Sequence, residues 1–364
     1  MEKTMKAKVK LVVDLQYGST GKGLIAGYIA EDWKPDVVVT ANMPNAGHTY
    51  INKNGRKWIH KVLPNGIVSP NLKYVLIGGG AVFSYDRLMD EIKASIDVLN
   101  GAIILIHPNA VPLKNSHRAA ESQGMMHENI GSTAQGSGAA SVEKIMRNPD
   151  DVVTASQVFG EDYGITLKEG DHETQVVVAT HGYYRQVLAE SERVLAEGAQ
   201  GYSLGLNQMF YPYCTSRECT PARFLSDMGI PLPMLEEVIG VARTYPIRVA
   251  GTSGDIYPDQ EETSWAELGL EEEFTTVTKK IRRVFTWSDM QMHDAIWECQ
   301  PDRIFLNFVN YYKVDELVDE VGRINDLVTE LGSSIGWLGF GPSESHVVPY
   351  DSIIDVKIFA DNGR

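Results

Sequence analysis

Short runs of β-branched and aliphatic residues recur along the chain, and several are followed by turn residues and then by helix-like segments. Val9–Asp14 (VKLVVD), Asp36–Ala41 (DVVVTA), Tyr74–Ile77 and Ala102–Ile106 (AIILI) read as buried strands. Gln175–Ala179, Arg193–Glu197, Arg303–Asn310 and Ile335–Phe340 repeat the pattern, while Leu88–Leu99 and Glu316–Leu331 space their apolar residues as helices do. Apolar strands alternating with helices predict an α/β fold, a mostly parallel central sheet with helices on both faces. Asn148–Gln175, acidic and polar, breaks the rhythm and reads as a surface excursion. No repeat, low-complexity tract or Gly/Ser linker divides the chain, so residues 1–364 are expected to form one large domain with insertions.

Composition narrows the class. Hydrophobic residues make up 43% and charged residues 22%, the proportions of a chain that buries a core. Lys and Arg number 33 against 48 Asp and Glu, and the net charge of −15 disfavours duplex DNA and anionic membranes as partners. Anionic small molecules stay open, because backbone N–H groups and a few basic side chains hold phosphates locally. Three cysteines (Cys214, Cys219, Cys299) without a CxxC spacing argue against a disulfide scaffold or structural zinc and suggest a reducing, cytoplasmic setting. No run approaches the ~18 apolar residues of a membrane span, and Met1–Lys10 has no apolar signal core.

The first strand runs into Tyr17-Gly18-Ser19-Thr20-Gly21-Lys22-Gly23, after which Leu24–Ala30 reads as helical. Strand, glycine loop and helix N-terminus together make an anion site. A Walker A loop places four residues between its first glycine and Gly-Lys-Ser/Thr, whereas Gly18 and Gly21 enclose two, so the loop alone names no reaction. A plain strand-to-helix turn stays open at this point. Asn42–Thr49 (NMPNAGHT) follows the second strand and puts His48 at the C-terminal edge of a neighbouring strand, where open α/β sheets bind ligands. A lone histidine is more often structural, but one on a glycine turn beside a phosphate loop is a catalytic candidate.

Further segments carry a resemblance. Gly18–Gly23 (GSTGKG), Asn45–Thr49 (NAGHT), Ile130–Gly136 (IGSTAQG), Glu197–Gly201 (EGAQG) and Tyr211–Ser216 (YPYCTS) come in this order. Thr275–Thr278 (TTVT) with Lys279, Lys280, Arg282 and Arg283, and then Gly339–Pro342 (GFGP), complete the series. The series resembles the adenylosuccinate synthetases, a family of P-loop-like α/β ligases. The resemblance implies that L-aspartate is joined to C6 of a purine nucleotide after a nucleoside triphosphate has phosphorylated O6, with Mg²⁺ spreading the charge of the moving phosphoryl group. It implies that Ser19, Thr20, Gly21, Lys22 and Gly23 cradle the triphosphate together with Gly339, Gly341 and Pro342. His48, in a catalytic set with Lys22 and Ser19, would donate to the O6 and γ-phosphate oxygens. Mg²⁺ would take the Gly47 carbonyl and the Ser19 oxygen. The acceptor nucleotide would be held by Ser19, Asn45, Ala46, Ser132, Thr133, Gln135, Gln200, Thr215, Val249 and Lys280. Arg147 would reach across a two-fold axis to the partner subunit's nucleotide, making a homodimer the catalytic unit. Thr275, Thr276, Val277 and Thr278 with Arg282 would clamp the aspartate carboxylates.

Two departures from the family pattern are informative. Ser19-Thr20 stand where the family carries Asp-Glu, and that aspartate is the base that takes the purine N1 proton. A serine hydroxyl does not ionise near neutrality, but it is small and uncharged and leaves room for a 2-amino group. On the strand Phe305–Asn310 the family reads the guanine of GTP with Thr-Lys-x-Asp; here Phe308 and Asn310 replace the lysine and aspartate. An amide can donate to N1 of adenine and accept from its amino group, which points to ATP or dATP, with Asn307 as a second candidate reader. Together the departures, with Leu15–Gly23 and Tyr213–Pro221 (YCTSRECTP), resemble the bacteriophage branch of the family, the 2-aminoadenylosuccinate synthetases, which join aspartate to dGMP with ATP for diaminopurine DNA. The alternatives are a conventional synthetase using IMP and GTP, and a catalytically inactive nucleotide-binding protein.

Overall fold

The apolar runs pair into an 11-stranded sheet in the computed structural model, which describes residues 7–45, 47–123, 133–251, 253–275 and 279–351. Its strands, in chain order, are β1 Lys8–Asp14, β2 Val37–Thr40, β3 Tyr74–Ile77, β4 Ile103–Ile106, β5 Gly164–Glu169 and β6 His172–Val178. They continue with β7 Arg193–Glu197, β8 Leu235–Arg243, β9 Arg303–Asn307, β10 Ile335–Gly339 and β11 Val347–Pro349. Across the sheet the order is β11-β10-β9-β8-β1-β7-β2-β3-β4-β6-β5. Pairings from β10 through to β6 are parallel, and only the edge strands β11 and β5 run antiparallel to their neighbours. Successive residues of a strand point to opposite faces. Every residue of β2 and nearly every residue of β7 and β9 is buried, so both faces are covered.

The sequence pattern needs four corrections. First, β8 escaped it because Glu236 and Glu237 open the strand. Glu237 is neutralised there by Lys10 at 2.8 Å and Arg303 at 2.6 Å, after which Val238–Arg243 are buried between β1 and β9. Second, the supposed surface excursion Asn148–Gln175 holds a short helix, Ala155–Phe159, and the β5–β6 hairpin that closes one edge of the sheet. Third, the strand expected over Arg303–Asn310 stops at Asn307. Phe308 takes a left-handed φ of 59°, and Val309–Tyr311 form a 3₁₀ turn that leaves Asn310 exposed. Fourth, β7 lies between β1 and β2, so the segment carrying His48 follows the next strand but one. The expectations for Ala46, Ser132, Thr276, Val277 and Thr278 fall outside the described residues. Among the described residues no helix is long and apolar enough to cross a membrane.

Candidate active site

Parallel strands release their chain at one edge, and the loops after β1, β2, β7, β9 and β10 meet there. Asp14 closes β1 as a buried carboxylate. It accepts from the backbone N–H of Gln16 at 2.9 Å and of Gly18 at 3.1 Å, from the Thr20 hydroxyl, and from Lys22 Nζ at 3.0 Å. Such a carboxylate pins a loop from beneath. The Lys22 ammonium, itself buried, gives a second proton to the Gln200 carbonyl at 2.7 Å, and an ammonium has three. Gly21 carries φ 106°, and a Cβ there would lie 2.2 Å from Asn307 Nδ2, so only glycine fits the turn into the helix Lys22–Trp33.

Asn307, at the end of β9, fills the space behind that glycine. Its Nδ2 donates to the Thr20 carbonyl at 2.9 Å, and its Oδ1 accepts from the Phe308 N–H at 2.9 Å. A Cβ on Gly339 would sit 2.1 Å from the same amide, so β10 presses on it from the other side. One end of the Asn307 amide thus holds the phosphate loop and the other the start of the turn after β9. Asn310, the other proposed reader, stands on the exposed turn beyond.

His48 opens a hairpin of His48–Ile51 against Lys57–His60. Its Nδ1 lies 2.7 Å from Glu197 Oε1, with both groups buried, and the other Glu197 oxygen accepts from the Asn65 N–H at 2.7 Å. A Cβ on Gly23 would lie 2.9 Å from both backbone N and O of Thr49, so the hairpin is seated directly against the start of the loop's helix. Ser19, exposed and at φ 57°, accepts from Arg282 Nη1 at 2.9 Å through its hydroxyl and from Arg243 Nη1 at 3.3 Å through its carbonyl. Arg243 is fully buried, paired with Glu273 and stacked 3.9 Å from the Phe308 ring centroid. Burial raises the Glu273 carboxyl, but the Arg243 guanidinium and the Tyr311 hydroxyl outweigh it and hold the group below its usual range. Burial lowers the Arg282 guanidinium from its ordinary value, against the pull of Glu273.

The remaining expected residues surround this core. Asn45 Oδ1 lies 3.4 Å from Ser137 Oγ, and Gln135 Nε2 donates to the Thr133 carbonyl at 3.0 Å. Both belong to the approach to the helix Ser137–Met146, whose first N–H groups are taken by the buried Glu121 carboxylate. Arg147 caps that helix at the exposed end. Thr215 keeps a buried hydroxyl with no hydrogen-bond partner among the described residues, and Val249 is half-buried. The backbone N–H of Lys280 donates to the Thr275 hydroxyl at 3.0 Å, leaving its side chain exposed. Gly341 lies against His346, with Pro342 exposed beside it. Among the described residues no group of three or more His, Cys, Asp or Glu could hold a metal. The exposed Gly47 and Ser19 offer a carbonyl and a hydroxyl, hard oxygens of the kind Mg²⁺ takes alongside substrate phosphates. Asp14, Glu197, Arg243 and Glu273 were not assigned from sequence. Asp14 had one signal, a carboxylate ending an otherwise apolar strand just before a glycine loop.

A sequence profile of the adenylosuccinate synthetases matches residues 11–162 and 161–313. The chain belongs to the adenylosuccinate synthetase family. Within that family it is 56% identical over 343 residues to the N6-succino-2-amino-2'-deoxyadenylate synthase of Vibrio phage phiVC8, covering 93% of this chain and 97% of that one. It is 32% identical over 276 residues to the adenylosuccinate synthetase of Methanococcus aeolicus, covering 75% and 76%. The solved structure of the Cyanophage S-2L succinoaminodeoxyadenylate synthetase bound to dGMP and dATP as an energy donor matches with a TM-score of 0.87 at 36% identity, across 98% of this chain and 99% of that one. The greater identity and coverage thus fall on the side of the family whose phosphate loop the Ser19 substitution had suggested.

Proposed function

We propose that this synthetase joins L-aspartate to C6 of dGMP while ATP or dATP becomes the diphosphate and phosphate, through a 6-phosphoryl intermediate, giving the succinylated precursor of diaminopurine DNA. The observation that carries the reading is the uncharged Ser19 in the phosphate loop of a chain 56% identical to a phage enzyme of that name. The family pattern's larger acidic side chain would crowd an added 2-amino group; the smaller hydroxyl, held by Arg282, leaves room for it. The loop backbone and the third proton of Lys22 bind the triphosphate. His48 faces O6 and the γ-phosphoryl group, and Arg282 with Thr275–Thr278 takes the carboxylates of aspartate. Thr133, Gln135 and the unpartnered Thr215 hydroxyl supply polar contacts to the acceptor nucleotide. Mg²⁺, held by the Ser19 hydroxyl, the Gly47 carbonyl and phosphate oxygens, would spread the charge of the phosphoryl group in transfer. The helix Ser137–Met146 leaves Val142, Ile145 and Met146 more than half exposed, next to Arg147. A second copy covering that face would make the homodimer and bring each Arg147 to its partner's nucleotide. As an enzyme of nucleotide supply the protein would work in the host cytoplasm.

The test is a matrix of acceptors (dGMP, GMP, IMP) and donors (ATP, dATP, GTP) with Mg²⁺ and aspartate, read by mass spectrometry. Succinylated dGMP formed with an adenine donor is expected. Product only from IMP with GTP would return the chain to the conventional reaction, and nucleotide binding without product would make it inactive.

A further inference from the structure

The chain turns back on itself between Glu273 and Arg282. Phe274 and Ile281 form an antiparallel bridge, the Arg282 N–H donates to the Glu273 carbonyl at 2.8 Å, and the Thr275 N–H donates to the Lys280 carbonyl at 2.9 Å. Phe274 is 53% and Ile281 44% exposed, so the apolar side chains of the bridge do not seat this segment on the protein. Its seat is ionic. The Glu273 carboxylate accepts from Arg243 Nη2 at 2.5 Å and Nη1 at 3.2 Å, and from the Tyr311 hydroxyl at 3.1 Å. A guanidinium fork on a carboxylate fixes angle as well as distance. Arg243 is itself a fixed post. The buried Gln16 amide bonds its backbone N–H at 2.8 Å and its carbonyl at 3.1 Å, just before the chain enters the phosphate loop. The fully buried guanidinium lies 3.9 Å from the Phe308 ring centroid and reaches the Ser19 carbonyl at 3.3 Å.

We infer that Arg243 and Glu273 are positioning residues that set the aspartate-binding segment in register with the phosphate loop. The inference rests on the reading of Thr275 and Arg282 as the aspartate clamp and deepens it. On that reading neither Arg243 nor Glu273 touches substrate. Arg282 bonds the Ser19 hydroxyl at 2.9 Å and must offer its fork to an incoming carboxylate, whereas the Arg243–Glu273 pair takes no ligand and holds its geometry before and after aspartate arrives. The phosphate loop has supports of its own, since Asp14 bonds Gly18, Thr20 and Lys22, and Asn307 bonds the Thr20 carbonyl. Loosening the pair therefore displaces the aspartate segment and leaves the triphosphate cradle in place. The defect falls on capture of the amino acid and not on phosphorylation of O6.

Glu273→Gln keeps the size and loses the charge; Arg243→Lys keeps the charge and loses the fork. With the full chain and Mg²⁺, each is expected to raise KM for aspartate by about tenfold or more, the scale of a lost charge-assisted bond, while KM for dGMP and ATP stays put. Exchange of β,γ-bridging ¹⁸O in ATP, measured with dGMP and no aspartate, is expected at the wild-type rate, because it reports phosphoryl transfer alone. Should loss of the carboxylate unfold the chain, Tyr311→Phe removes one uncharged donor to Glu273 and is expected to raise the aspartate KM by about fivefold at nearly unchanged Tm. Arg282→Lys is the control for the clamp and is expected to raise the same KM. If it does so while Glu273→Gln and Arg243→Lys leave that KM unchanged, the inference is overturned and the clamp stands. Exchange lost along with aspartate capture, or three KM values rising together as Tm falls, would make the pair a general support and overturn it as well. An aspartate KM unmoved by Arg282→Lys would sink the clamp and the inference with it. Absence of succinylated dGMP from the wild type would instead sink the ligase reading, on which both depend.

Discussion

His48 and Ser19 were legible as residues because each sits in a short motif whose chemistry is local. Their partners were not. Glu197 lies 149 positions from His48, and its role exists only once β7 has been inserted between β1 and β2. Replacing His48 by Ala removes a ring that holds a buried carboxylate and that the proposed reaction places at the reacting oxygens. Turnover is expected to fall by ~10²-fold or more, the usual loss for one transition-state donor. An unchanged kcat would show that the ring is packing and nothing else. The reader of the donor base has two candidates from sequence, Asn307 and Asn310, and Asn307 already bonds the Thr20 carbonyl and the Phe308 N–H. Asn310→Asp is expected to turn donor preference away from adenine in competition assays between ATP and GTP. If ATP keeps its advantage, base reading belongs to another residue of the β9–β10 edge.

Elements were read from periodicity with their centres correct and their ends displaced. β5, β8 and β11 escaped the pattern, and β8 shows why: a strand whose first charged residues are neutralised by neighbours on β1 and β9 looks like a surface segment until those neighbours are known. The same non-local logic governs the phosphate loop and the hairpin that bears His48. Gly23 packs against that hairpin so closely that an added Cβ would lie 2.2 Å from Asn65 Nδ2 as well as 2.9 Å from Thr49 backbone atoms. Gly23→Ala is therefore expected to cost about 1–3 kcal/mol by overpacking, read as a lower urea midpoint. Because the hairpin must move to accept it, kcat should fall further than the fraction of unfolded protein explains. A stable variant with full activity would mean that the helix and hairpin are not in register with catalysis.

At the scale of the molecule, the low acidic limit of stability has a named contributor. Burial pushes the His60 imidazole down to about 4, against an opposing pull from Glu197. Its folded value is below that of an unfolded histidine, so the uncharged ring is favoured in the native state. Above pH ~6.5 both states hold it neutral and stability is unaffected. As pH falls from there toward 4, only the unfolded chain gains the proton, and about 3 kcal/mol at most is lost. Urea unfolding at pH 7.5 and pH 5 should show the decline, and His60→Asn should flatten it. A slope unchanged by the substitution would assign the decline to other groups. The proposed homodimer can be tested at the face that the helix Ser137–Met146 leaves bare: Ile145→Glu is expected to halve the mass seen by light scattering and to lower activity with it. A variant that keeps its mass would move the subunit contact elsewhere. The homodimer was implied by the resemblance, but the face proposed to carry it was not readable from the amino-acid order, since only the finished fold lays Val142, Ile145 and Met146 bare.

The strand that begins the chain is flanked by β7 and β8, both encoded far downstream, and β8 is itself completed only by β9. A ribosome must therefore release Arg243 before Asp14 has a sheet to end, and Asn307 before Gly21 has anything to lean on. Until then a nascent copy carries a glycine loop held by Asp14 but without the sheet around its strand or Asn307 behind Gly21, so partial translation products should not sequester the nucleotides that finished enzyme consumes.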